Sequence, residues 1–238
     1  MTTHLNRFDD ELFWSTPDAA LDRPVIGIIA ASDASLMFDA CSSHGHALEL
    51  QRALDAHGLQ PPDFAVISHS HADHWFGLVD FAATAACSRA CQATTKAMTT
   101  LDWSHEGYRR LVDEGKGNAF LADILDVEYG ADRERIALRS PEVGICDEAA
   151  IDLGSVTVEV REVASSHSCD AVILCVPAKR LVFLGDVLYL RENSEEELRD
   201  LLAVLAGLEA EWFIDAHVDG VLTREQVGAH LREYVGGL

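Results

Sequence analysis

Apolar residues along this chain fall into two patterns, short β-branched runs and longer stretches where leucine and alanine recur at helical spacing. Phe64-Ala65-Val66-Ile67 reads as a buried strand, and residues 25–30 and 35–40 read as a hairpin about Ala31-Ser32-Asp33-Ala34. Val156, Val158 and Val160 alternate as in a strand. Residues 171–177 and 180–184 are continuous apolar runs about Pro177-Ala178-Lys179, the pattern of a buried hairpin, and residues 212–214 give one more short strand. Helices are predicted over 47–57, 75–86, 94–101, 194–208 and 223–234. In the fourth, Leu198, Leu201, Leu202 and Leu205 share a face, Ser194 caps the start, and Glu195 to Glu197 suit the positive end of the dipole. In the last, Thr223 and Gln226 have capping-box spacing. Residues 1–23 are polar, with Phe8, Phe13 and Trp14 as anchors. Residues 102–140 mix charges with Trp103, His105, Tyr108, Phe120 and Tyr129 and read as helices capping the body, either a lid over a substrate pocket or a packed surface pair.

Composition bounds the reading. With 238 residues and 48% apolar content the chain can bury a sizeable core, so 1–238 is expected to be a single domain with 102–140 as a helical insertion. Forty acidic residues against 18 basic ones give a formal charge of −22, which repels nucleic acid and anionic membrane surfaces and favours a small-molecule substrate. The first 22 residues lack the basic start and apolar core of a signal peptide, and no apolar run approaches spanning length; the expected location is the cytoplasm. Cys41, Cys87, Cys91, Cys146, Cys169 and Cys175 form no CxxC pair and read as small hydrophobes in a reducing compartment. Cys87 and Cys91 are expected on one helix face. Trp75 and Phe76 offer material for a pocket wall or a homodimer interface.

The chemistry concentrates in Ser68-His69-Ser70-His71-Ala72-Asp73-His74-Trp75, where four potential metal ligands fall within six residues. A strand leads into it and a helix out, which puts the cluster on a tight loop at a strand's carboxyl end, where open α/β architectures place their chemistry. In an extended segment His69 and His71 point the same way and can chelate one ion, while Asp73 and His74 at the turn can reach a second. Polar groups flanked by buried elements need partners, and metal ions would supply them. His44 and His46 are also one residue apart. At the head of a helix they point apart and read as a polar rim.

His69, His71, Asp73 and His74, read as HxHxDH, resemble the signature of the metallo-β-lactamase superfamily. The later motifs follow in that family's order: His167 in Ser165-Ser166-His167-Ser168, Asp186 in Phe183-Leu184-Gly185-Asp186, and His217 in Ile214-Asp215-Ala216-His217. The resemblance spans residues 24–235 and implies an α+β fold, a four-layer αβ/βα sandwich of two packed mixed β-sheets flanked by helices. It further implies that His69, His71 and His167 hold one ion, that Asp73, His74 and His217 hold the other, and that Asp186 bridges them. Phe38-Asp39-Ala40-Cys41 resembles the early strand whose Asp stands behind the metals, with Cys41 in place of the usual glycine. Other departures are Ser166 before the third-motif His, and Ala216 and Val218 around His217, where glycines are common.

Imidazole and carboxylate suit two zinc ions, and iron or manganese accept the same donors. Two such cations lower the pKa of a shared water from 15.7 towards about 7, giving hydroxide at neutral pH. The expected function is therefore a dinuclear metal-dependent hydrolase that attacks an ester, lactone or thioester with a metal-bridging hydroxide. A bridging carboxylate at Asp186 resembles the lactonase, glyoxalase II and phosphodiester branches more than the antibiotic-degrading β-lactamases, and the acidic charge disfavours the nuclease branch. Asp73 and Tyr189 are the candidate catalytic side chains; in the lactonases that Asp186-Val187-Leu188-Tyr189 resembles, a tyrosine at this place contacts substrate. The alternatives are a mononuclear iron oxidoreductase of the persulfide dioxygenase kind and a non-catalytic metal-binding protein.

Overall fold

The structure is a computed structural model, described for residues 3–165, 167–189 and 195–236. Its first sheet begins with β1 (Leu5–Arg7), β2 (Leu12–Ser15), β3 (Gly27–Ala30) and β4 (Ser35–Phe38), paired antiparallel in sequence. Helix α1 (His44–Ala56) then crosses to β5 (Phe64–Val66), which lies parallel to β4. A single helical turn, α2 (Ala72–Trp75), and a 3-10 turn over Phe76–Asp80 lead to β6 (Thr84–Ser88), parallel to β5. Helices α3 (Arg89–Met98), α4 (His105–Asp113) and α5 (Ala119–Tyr129) precede β7 (Val143–Ile145), which completes seven strands in sequence order.

The second sheet contains β8 (Glu148–Asp152), β9 (Thr157–Glu162), β10 (Val172–Val176) and β11 (Leu181–Gly185) as an antiparallel meander. Helix α6 (Glu195–Gly207) carries the chain over to β12 (Trp212–Asp215), parallel to β11, and β13 (Leu222–Thr223) and α7 (Arg224–Gly236) close it. The order is β13-β12-β11-β10-β9-β8.

Strand side chains alternate between faces, and this alternation sorts the core into layers. Ile29, Leu36, Phe38 and Val66 meet Val160, Val172, Leu174 and Phe183 between the sheets. Their neighbours Ile28, Met37 and Ala65 turn the other way, onto Leu50, Leu54, Trp75 and Phe76. On the far side Ile173, Val182 and Phe213 pack against Leu201, Leu205, Val227 and Leu231 of the last two helices. Helix, sheet, sheet, helix is the expected four-layer sandwich.

Several local expectations are corrected. Residues 75–86 do not form one helix: after the 3-10 turn the chain straightens into β6, whose alanines fit where parallel strands are covered on both faces. Cys87 consequently lies on a strand and Cys91 in α3, both buried and in contact with each other. The α3 helix starts at Arg89 because Ser88 caps it, its Oγ accepting from the Cys91 N–H at 3.0 Å. Likewise Ser43 caps α1, which takes in His44 and His46. The amino-terminal stretch forms β1 and β2, with Phe13 and Trp14 buried. Trp75 and Phe76 lie wholly inside the core, so neither supplies an interface or a pocket wall. The Thr223–Gln226 capping box forms reciprocally, at 2.8 and 3.2 Å. Ser194 and Ser166 lie outside the described residues, as do the side chains of Glu195, Glu196 and Leu198. Among the described residues no helix is long and apolar enough to cross a membrane.

Candidate metal centre

The two sheets end in loops that meet at one rim. His69 to His74 follow β5, His167 lies between β9 and β10, Asp186 directly follows β11, and His217 follows β12. Backbone bonds lock these loops together: Val172 N–H to Ser68 O at 2.7 Å, Ala40 N–H to His74 O at 2.7 Å, and Ala216 N–H to Gly185 O at 3.1 Å. Gly185 is required here. Its φ is +57°, and a Cβ would lie 2.8 Å from Ser68 Cβ, so only glycine brings Asp186 this close to the β5 loop.

The structure brings together all seven expected ligands, in two groups. His69, His71, His167 and Asp186 form one, and Asp73, His74, Asp186 and His217 the other; within each, one donor atom per residue lies within 4.8 Å of the rest. Asp186 belongs to both. Its Oδ2 is 3.1 Å from His167 Nε2 and 3.9 Å from His69 Nε2, while its Oδ1 is 3.5 Å from both His74 Nε2 and His217 Nε2. Asp73 Oδ2 is 2.9 Å from His74 Nε2 and 3.4 Å from His217 Nε2. These approaches lack hydrogen-bond alignment: His69 Nε2, His74 Nε2, His167 Nε2 and Asp186 Oδ1 are buried without a hydrogen-bond partner. Convergent, buried, unsatisfied donors of imidazole and carboxylate type are the set a divalent cation satisfies, so the residues fit the metals that the fold implies.

Behind the donors stands a second ring of polar groups. Asp39 Oδ2 meets His74 Nδ1 at 2.8 Å, and its Oδ1 accepts from the Ser68 N–H at 2.7 Å. Ser68 Oγ lies 2.9 Å from His69 Nδ1. His217 Nδ1 faces Asp22 Oδ1 at 4.0 Å. Of these only Asp39 is legible in the sequence, through the resemblance of its strand; Ser68 has no signal beyond its position before His69, and Asp22 has none.

Protonation differs between the groups. Burial, reinforced by neighbouring imidazoles, lowers His69 and His71, favouring the neutral form that binds metals. In the other group burial opposes charge but is outweighed. Asp73, Asp39 and Asp186 raise His74 well above its usual range, and contacts with Asp186 and Asp73 raise His217 to about 10. Reciprocally, despite burial, His74 and its neighbours hold Asp73 and Asp186 well below the carboxylate range. Asp22 is raised by burial and by the charge of Asp73. This second group is an acidic cage that favours a cation at its centre.

The remaining expectations sort themselves around this rim. Tyr189 is 45% exposed and stands edge-on to His167, ring centroids 5.0 Å apart. His46 is not a polar rim residue: it is fully buried, whereas His44 is exposed and pairs with Asp80 at 2.6 Å. Cys41 keeps the backbone that the absent glycine would adopt, with φ +69°, beside Asp39 at +65°. In the 102–140 stretch, Trp103 stacks on Tyr108 and meets Phe76 edge-on, which roots α4 and α5 in the body.

A family model described as the metallo-beta-lactamase superfamily matches residues 22–219. Among solved structures, a metallo-beta-lactamase from Pontibacter korlensis is similar with a TM-score of 0.66 at 11% identity, covering 99% of this chain and 100% of that one. The DIM-1 metallo-beta-lactamase gives 0.68 at 13%, covering 100% and 99%. The inverting sec-alkylsulfatase Pisa1 from Pseudomonas sp. gives 0.68 at 14%, covering 97% of this chain and 40% of the sulfatase. At such identities these likenesses establish the fold alone. No curated protein matches the sequence. The family match takes in every donor of both groups, and the chain belongs to the metallo-beta-lactamase superfamily, whose members are mostly metal-dependent hydrolases.

Proposed function

We propose that this protein is a dinuclear zinc hydrolase that cleaves an ester, lactone or thioester bond of a small molecule. One observation carries the reading: Asp186 belongs to both donor groups, with its two oxygens turned towards different sets of imidazoles. Two divalent cations would supply Lewis acidity and a water acidified towards a pKa of about 7. The chain's own residues would do the rest. Asp73, held ionised among His74 and His217, can accept a hydrogen bond from the attacking water and so orient it. Tyr189, half-exposed beside His167, can donate a hydrogen bond to the developing oxyanion or a proton to the leaving oxygen or sulfur. A formal charge of −22 supports a small substrate over a polyanion.

The test is metal analysis of protein purified without added metal or chelator, followed by ester, lactone and thioester panels. Nearly two zinc per chain is expected, with His71→Ala and Asp186→Ala each losing more than about 100-fold in kcat/KM while remaining folded, since even the groups behind a metal ligand are worth 10–100-fold. One iron per chain with oxygen consumption on a thiol substrate would overturn the proposal.

A further inference from the structure

The geometry points to Asp22 as the positioning residue of the second metal group: its carboxylate would accept the Nδ1 proton of His217 and so hold that imidazole in the tautomer that presents Nε2 to the ion. This rests on the dinuclear reading above. His217 Nε2 is turned towards Asp73 and Asp186, so a neutral, metal-binding ring must carry its proton on Nδ1, the atom that faces Asp22 at 4.0 Å. A carboxylate behind a ligating imidazole fixes its tautomer and orientation and raises its basicity. The neighbouring His74 has this arrangement on the page, with Asp39 on its Nδ1 at 2.8 Å. The 4.0 Å separation closes to hydrogen-bond length with a shift of about 1 Å, and such contacts tighten when the bound partner is in place.

The placement of Asp22 is built. Asp18 and Arg23 close a tight loop by paired backbone bonds of 3.0 Å, and Asp22 sits inside it at φ +52°. Arg23, next in the chain, is buried and fixed by Glu128 at 2.5 and 2.9 Å and by Glu49 at 3.2 Å. The Val25 N–H donates to Ala216 O at 2.7 Å, tying the loop to the residue before His217. Asp22 is thereby held against His217 from both sides.

Zinc affinity, read by chelator competition at neutral pH, tests the inference on the full chain with Asp22→Asn and Asp22→Gly, each checked for folding by thermal unfolding. Both residues tolerate a positive φ, so strain does not confound the result. The expected result is a loss of about 10–100-fold for one zinc in both variants, with the other unchanged and Asp22→Glu restoring part of the loss. Repeating the titration in a His71→Ala background, where the second group alone keeps all its donors, should show the same loss. Parent-like binding in either variant, or equal weakening of both ions, would overturn the inference and leave the dinuclear reading intact. A parent chain that takes up fewer than two zinc would overturn both.

Discussion

His46 shows what one residue can contribute to pH dependence. Its Nδ1 accepts from the Ser42 N–H at 3.3 Å, which leaves the proton on Nε2, and that atom is buried with no hydrogen-bond partner among the described residues. Burial, with help from the Arg23 charge, pushes its pKa down to about 3. The ring is therefore neutral in the folded chain but takes a proton near pH 6.5 when unfolded. Its contribution is complete above about 6.5 and drains away as pH falls towards 3, at roughly 1.4 kcal/mol per pH unit. Urea unfolding at pH 7.5 and 5.5 should show a smaller loss for His46→Gln than for the parent; equal losses would refute this account. At this scale the sequence was legible where side-chain type decides chemistry, as in His69, His71, Asp73 and His74. It was not legible where burial decides, because nothing local distinguishes an exposed His44 from an enclosed His46.

At the scale of elements, the α4–α5 segment is fastened to the body by charge as well as by packing. Glu128 near the end of α5 receives Arg23 through two bonds and the hydroxyls of Ser42 and Ser43 at 3.2 and 3.0 Å, with the carboxylate almost completely buried. Removing one partner of a buried pair strands the other charge, so Glu128→Ala should destabilise the protein by about 3–5 kcal/mol. An unchanged midpoint in urea would count against that role. Elements with strong local signals, such as the β10–β11 hairpin and the capped α7, emerge where the pattern put them. β6 does not, because Thr84-Ala85-Ala86-Cys87-Ser88 has little strand propensity and is extended only by its pairing with β5 and β7. Short edge strands such as β1, β8 and β13 owe their form equally to a neighbour.

For the whole molecule, a charge of −22 implies self-repulsion in the folded state, distributed over a surface rather than paired. Screening should relieve it, so the thermal midpoint should rise between about 0.01 and 0.15 M salt, where the Debye length falls from about 30 to 8 Å. A midpoint that falls instead would mean that the ion pairs dominate. The sequence by itself determined the candidate donor cluster from His69 to His74 and most of the strand and helix pattern, since alternation, spacing and ligand chemistry are properties of residues in order, while the layered architecture and the places of His167, Asp186 and His217 were legible only through the family resemblance. Only the tertiary structure decided the distances and burial within the two donor groups, that Cys41 keeps a left-handed turn, and that Asp22 stands behind His217. These depend on loops from two sheets meeting at one rim, and the distance between residues remote in the chain is set by packing, which no local pattern encodes.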